Sequence, residues 1–150
     1  IFEMKVDLNK IKNLPPDVKK DFMKMYLRHA EKKKESQIQN DFMSFVKHVW
    51  PEFIEGTHHK MIAEKFNKIS KGELKRVIIN MPPRHTKSEF SSYLLPAWMI
   101  GRNPKLKIIQ STHNTELAVR FGRKAKTLMD TPEYTSIFQT RLRQGNPARR

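Results

Sequence analysis

The sequence predicts an α/β fold in which N-terminal helices precede a fragment of parallel sheet. Two short apolar runs, Val77-Ile78-Ile79 and Leu106-Lys107-Ile108-Ile109, carry the β-branched residues that suit buried strands. Around them apolar residues recur at helical spacing over Val18 to Lys34, Lys87 to Met99 and Thr115 to Met129. The order strand, helix, strand then implies a right-handed parallel crossover.

In chain order, residues 1–14 show no sustained period and read as a leader. Pro15-Pro16-Asp17 opens the first helix, whose stripe is Val18, Phe22, Met25, Tyr26 and Ala30. Its end, Lys32-Lys33-Lys34, reads as a solvated charge run, with DNA phosphates as the other reading. Asp41 to Trp50 makes a second helix with Asn40 as its cap and Phe42, Phe45, Val46 and Val49 on one side, and Pro51 ends it. Thr57 is placed to cap a third helix running to Ile69, and Lys71-Gly72-Glu73 stops it.

That third helix carries adjacent His58 and His59. Neighbours on a helix point about 100° apart, so the pair does not build a metal site and reads as one surface and one packed residue. Pro96 falls inside the Lys87 to Met99 helix, where its missing N–H must kink or split it. Thr112-His113-Asn114 ends the second strand and caps a helix over Thr115 to Met129. Its apolar stripe is Leu117, Ala118, Phe121, Ala125, Leu128 and Met129, and Arg120, Arg123, Lys124 and Lys126 lie off it. Thr131-Pro132-Glu133 starts a last short helix, and residues 141–150 read as a basic disordered tail.

Thirty Lys and Arg against 15 Asp and Glu in 150 residues give a net charge of +15, which points to a polyanionic partner such as nucleic acid. The length provides one domain with a core rather than two. No apolar run of about eighteen residues, lipidation motif or signal-peptide pattern is found, so a soluble intracellular protein is expected. The absence of cysteine excludes disulfides and thiolate metal sites and fits a reducing compartment.

The chemistry concentrates where the first strand ends. Met81-Pro82-Pro83-Arg84-His85-Thr86-Lys87-Ser88 is a turn leading into a helix, and Lys87-Ser88 closes a G-x-x-x-x-G-K-[ST] spacing. In that pattern backbone N–H groups and a helix N-terminus cradle phosphates, the lysine reaches the terminal phosphates and the hydroxyl holds Mg²⁺. Here the two glycine positions are Met81 and Thr86, and the same residues also read as an ordinary strand-to-helix turn.

The string from Val77 to Glu89, with Leu94-Leu95-Pro96-Ala97-Trp98 downstream, resembles the ATPase domain of tailed-phage terminase large subunits. The resemblance runs from about Phe42 to Phe138. That family's loop commonly reads Pro-Pro-Arg-His-Gly-Lys-Ser, so Thr86 stands in place of its glycine. It implies a P-loop NTPase-like parallel sheet fragment over residues 41–140, preceded by the leader and helix of residues 1–40.

By the same resemblance, Pro83, Arg84, His85, Thr86, Lys87 and Ser88 would hold ATP, with Lys87 on the β/γ-phosphates, Arg84 on the γ-phosphate and Ser88 on Mg²⁺. His58 and His59 would lie beside the nucleotide. In P-loop translocases the segment after the second strand commonly faces nucleic acid, which puts Arg120, Arg123, Lys124 and Lys126 on double-stranded DNA. The intact motor would form a ring on the portal protein, with a small terminase subunit, in the host cytoplasm.

A P-loop ATPase also needs an apolar strand ending in acid for Mg²⁺ and a glutamate to activate water. No such run occurs, and the acids after Leu106, namely Glu116, Asp130 and Glu133, fall in or beside helices. Nor is there a set of strand aspartates for two-metal cleavage of DNA. The expectation is therefore an N-terminal portion that binds nucleotide without turning it over. Another nucleic-acid translocase such as a helicase, and a non-catalytic basic DNA-binding module, are the alternatives.

Overall fold

The computed structural model describes residues 15–140, so the leader and the basic tail lie outside the described residues. The chain divides into two compact units, Ile1–Ser36 and Gln37–Arg150. Helix α1, Pro16–Asn40, begins in the first unit. Its expected apolar stripe is present, but Val18, Met25 and Tyr26 are open to solvent and only Phe22 is partly covered.

The second unit is a helical cluster built around α2, Phe42–Val49. The cap is Asp41, one residue later than expected, because its extended backbone lets Oδ2 accept the Ser44 N–H at 2.7 Å. The Asp41 Oδ1 accepts from the Asn67 amide at 2.7 Å, and the Asn67 Oδ1 accepts the Phe42 N–H at 2.8 Å. Asn67 belongs to α3, Thr57–Ser70, so one polar triangle locks the start of α2 onto α3. Gly72, at φ 77°, ends the α3 region in the left-handed conformation that glycine adopts without strain.

Phe42 sits at the centre of the core, with the rings of Phe66, Phe90 and Trp98 edge-on to it at 5.1, 5.5 and 5.4 Å. Edge-to-face packing of this kind adds to the gain from burying the rings. Trp98 and Tyr134 are fully buried yet satisfied: the indole N–H donates to the Ile38 carbonyl and the Tyr134 hydroxyl to the Ala97 carbonyl. Burial pushes the Tyr134 hydroxyl far above the usual tyrosine range. Gly101 is required at this spot, because a Cβ there would meet the Phe138 ring at 2.6 Å and the Tyr134 hydroxyl at 2.7 Å.

After the 82–89 loop the chain is helical as expected, and Pro96 changes its pitch. Helix α4, Lys87–Glu89, passes into a π-helical stretch, Phe90–Leu94, and then into α5, Leu95–Arg102. In the π turn the Leu95 N–H bonds the Phe90 carbonyl. Pro96 then falls in the first turn of α5, where its missing N–H is tolerated. Helix α6, Thr115–Met129, is capped by the Asn114 side chain, and the short α7, Pro132–Ile137, by Thr131.

The expected parallel sheet is not formed, and the α/β assignment is corrected to an all-helical fold. Among the described residues there is no strand, and Val77-Ile78-Ile79 and Leu106 to Thr112 carry no ladder hydrogen bonds. Ile79 and Met81 pack against the core, whereas Ile78 is 89% and Ile109 96% exposed. A β-branched run fits a half-buried pleated surface but does not make one. With no neighbouring strand to pair its N–H and C=O groups, the backbone stays with solvent.

Candidate functional site

Two prolines stop the segment after Met81, and the turn that follows depends on unusual backbone. Arg84 and Thr86 both have positive φ, 66° and 55°. Left-handed residues spaced along a turn gather successive N–H groups on one side, the geometry of an anion-binding nest. For a β-branched residue such as Thr86 the conformation costs about 1–3 kcal/mol and must be held by its surroundings. The loop encloses a concavity of about 450 Å³ lined by residues 82–89.

The side chains of the loop are accessible. Lys87 donates to the Met81 carbonyl at 2.8 Å across the turn, Ser88 is exposed at the start of α4, and His85 Nδ1 donates to the Pro83 carbonyl at 2.9 Å. The structure thus brings Pro83, Arg84, His85, Thr86, Lys87 and Ser88 onto one concave surface. The concavity, the ammonium and the backbone conformation fit a phosphate group, and the Ser88 hydroxyl is the side chain of the loop suited to a phosphate-bound Mg²⁺. Among the described residues no group of three or more His, Asp or Glu is arranged to hold a metal ion by itself.

His59 is the buried polar residue of this region. As the third residue of α3 its Nδ1 accepts the N–H of Gly56 at 2.9 Å, so the neutral ring carries its proton on Nε2. That Nε2 lies 2.6 Å from Thr86 Oγ1, and Oγ1 donates onward to the His85 carbonyl at 2.7 Å. Desolvation, and then His58 and His85, hold the imidazole below the usual histidine range despite the opposing pull of Glu55. Gly56 is needed for this packing, since a Cβ there would lie 2.9 Å from the His58 ring.

His58 stacks on His59 with ring centres 3.8 Å apart and lies 5.7 Å from His85. Its Nε2 is buried without a hydrogen-bond partner among the described residues. His58 helps to line an open, mainly apolar cleft of about 460 Å³ whose walls include Met61, Leu74, Val77, Ile79 and Met81. This cleft adjoins the loop at Met81.

Helix α6 contributes Arg120, Arg123 and Lys124 to the lining of a separate cleft of about 790 Å³, together with Tyr93, and Lys126 does not line it. Lys124 is engaged with both carboxylate oxygens of Glu89 at 3.0 Å and lies 5.3 Å from the centre of the Tyr93 ring. Burial, then Glu89, raises the Tyr93 hydroxyl above its usual range. Arg120, Arg123 and Lys126 are exposed.

Sequence reasoning gave no role to Glu89, although it directly follows Lys87-Ser88, because its partner is 35 residues away. The His59 to Thr86 contact was equally hidden, and the only signal was the branched residue at a position where a phosphate loop carries glycine. Comparison of the chain with protein-family models, curated proteins and solved structures found no match.

Proposed function

We propose that this chain is the N-terminal nucleotide-binding portion of a viral DNA-packaging motor of the terminase large-subunit type. It holds the phosphates of MgATP in the 82–89 loop and the DNA backbone on α6. The observation that carries the reading is the loop itself: two left-handed residues, Arg84 and Thr86, shape a concavity that opens beside Lys87 and Ser88 at a helix start. Lys87 exchanges the exposed Met81 carbonyl for β/γ-phosphate oxygens at little cost, since both ends of that bond lie near solvent. Arg84 is exposed and reaches the γ-phosphate side.

The base enters the mainly apolar cleft that His58 helps to line beside the loop. Mg²⁺, bound with the nucleotide, offsets phosphate charge next to the Ser88 hydroxyl. In the intact motor, nucleotide turnover drives double-stranded DNA into a capsid, with the portal and small subunit as partners.

Calorimetric titration with MgATP and MgADP tests the reading. Binding by the wild-type chain that is lost in Lys87→Ala, with helicity unchanged by circular dichroism, is the expected result. Equal affinity in the two proteins sinks the assignment. Absence of binding in both, with DNA binding intact, leaves the basic DNA-binding module.

A further inference from the structure

The loop differs from a glycine-bearing phosphate loop at Thr86, and that residue is held from outside its own element. Thr86 makes no side-chain cap for α4, yet it keeps φ at 55° despite a branched Cβ. The contact that fixes it comes from α3, 27 residues away, where His59 Nε2 meets Oγ1 at 2.6 Å. Oγ1 passes its own hydrogen to the His85 carbonyl, so the hydroxyl is anchored on both sides. His59 cannot turn away, because the Gly56 N–H occupies Nδ1 and the Phe53 and Phe90 rings flank it at 4.8 and 5.1 Å.

We infer that His59 is the positioning residue of the phosphate loop, its neutral Nε2–H holding Thr86 left-handed where such a loop would otherwise need glycine. The inference rests on the phosphate-binding reading above, but it concerns what shapes the loop rather than what fills it. Glycine reaches φ > 0 by lacking a Cβ, whereas Thr86 reaches it through a hydrogen bond. Loss of His59 therefore releases Thr86 toward right-handed or extended backbone, and the nest opens.

The arrangement is sensitive to one proton. A second proton on His59 would occupy Nδ1 and confront the Gly56 N–H, which leaves the ring no stable place in its pocket. The ionisable groups facing the ring are His58 on its own helix, Glu55 in the turn before it and His85 in the loop. Anion affinity should fall as the pH drops below the ordinary histidine range, beyond the change due to the ligand's own phosphate.

The test joins NMR of the isotope-labelled chain to MgADP titration between neutral and mildly acidic pH. The His59 ring nitrogens report the tautomer, and the Thr86 backbone coupling and carbon shifts report the sign of φ. In His59→Ala, Thr86 should lose its positive φ and MgADP should bind about tenfold more weakly, the equivalent of ~1.4 kcal/mol. Thr86→Gly added to that variant should restore affinity. His59→Gln, with an amide oxygen for Gly56 and an amide N–H for Oγ1, should keep near wild-type affinity and remove the excess pH dependence.

A positive φ retained at Thr86 in His59→Ala overturns the inference whatever the nucleotide does. So does a pH profile shared by wild type and His59→Gln, a comparison that remains decisive if the alanine variant does not fold. Should Thr86 lose its positive φ while wild type and Lys87→Ala fail alike to bind MgADP, the positioning role stands and the nucleotide reading falls.

Discussion

Lys124 places its ammonium 3.0 Å from both carboxylate oxygens of Glu89, joining helix α6 to the short helix α4 that follows the candidate loop. The lysine is thereby partly neutralised, which separates it from Arg120 and Arg123 in the lining of the same cleft. The basic residues of α6 are therefore three exposed cations, Arg120, Arg123 and Lys126, beside an ion pair, rather than four equivalent cations.

Duplex binding should therefore depend unequally on these side chains. Each phosphate contact contributes about 0.9 to the slope of log affinity against log salt. Arg120→Gln with Arg123→Gln should lower the slope by about 1.8 if each holds one phosphate, whereas Lys124→Gln alone should change it little. Titration of a DNA duplex at several salt concentrations measures both. A slope unchanged when all three are replaced would place the DNA contacts away from this part of α6, on Lys126 or outside the helix.

The triangle of Asp41, Asn67 and the Phe42 N–H makes a second prediction. Asp41→Ala removes the α2 cap and should cost about 1 kcal/mol. Asn67→Ala strands the Phe42 N–H near the core and should cost about 1–3 kcal/mol. The two losses should be less than additive because the residues share one bond, and urea unfolding of the single and double variants measures the coupling.

The same triangle gives a pH dependence. Burial acts to raise the Asp41 pKa, but the Ser44 N–H, the Asn67 amide, the Ser44 side chain and Lys47 outweigh it and lower the carboxyl below its usual 3.8. The native state therefore binds this proton less readily than the unfolded chain. Its stabilising contribution is complete above pH 3.8 and is lost as the pH falls through the lowered value. Asp41→Asn should flatten that acid limb.

Ile78 and Ile109 test the correction from α/β to helical. Replacing a buried strand isoleucine by a small residue costs about 2–5 kcal/mol, while an exposed site changes stability by about 0.5 kcal/mol or less. Ile78→Ser and Ile109→Ser should each leave the melting temperature nearly unchanged, and a fall of many degrees in either would restore a packed strand.

Most helices could be read from the sequence because their determinants are local. Apolar spacing, Asn114 and Thr131 as caps, Gly72 as a stop and Pro96 as a disturbance each act within a turn or two of their own position. The candidate loop was legible for the same reason, since Pro82 to Ser88 are contiguous. The cap of α2 was read one residue early because Asn40 and Asp41 both suit the role, and only the contact with Asn67 selects Asp41.

The sequence alone therefore determined the charge surplus, the helical segments and the run of loop residues. Tertiary structure decided whether the two β-branched runs become strands, because strand formation needs a partner whose hydrogen bonds lie elsewhere in the chain. It also decided which side chains hold the loop: His59 with Thr86, and Glu89 with Lys124, pair across 27 and 35 residues. No periodicity or local propensity encodes such a meeting, which follows from how α3 and α6 pack beside the helix that begins at Lys87.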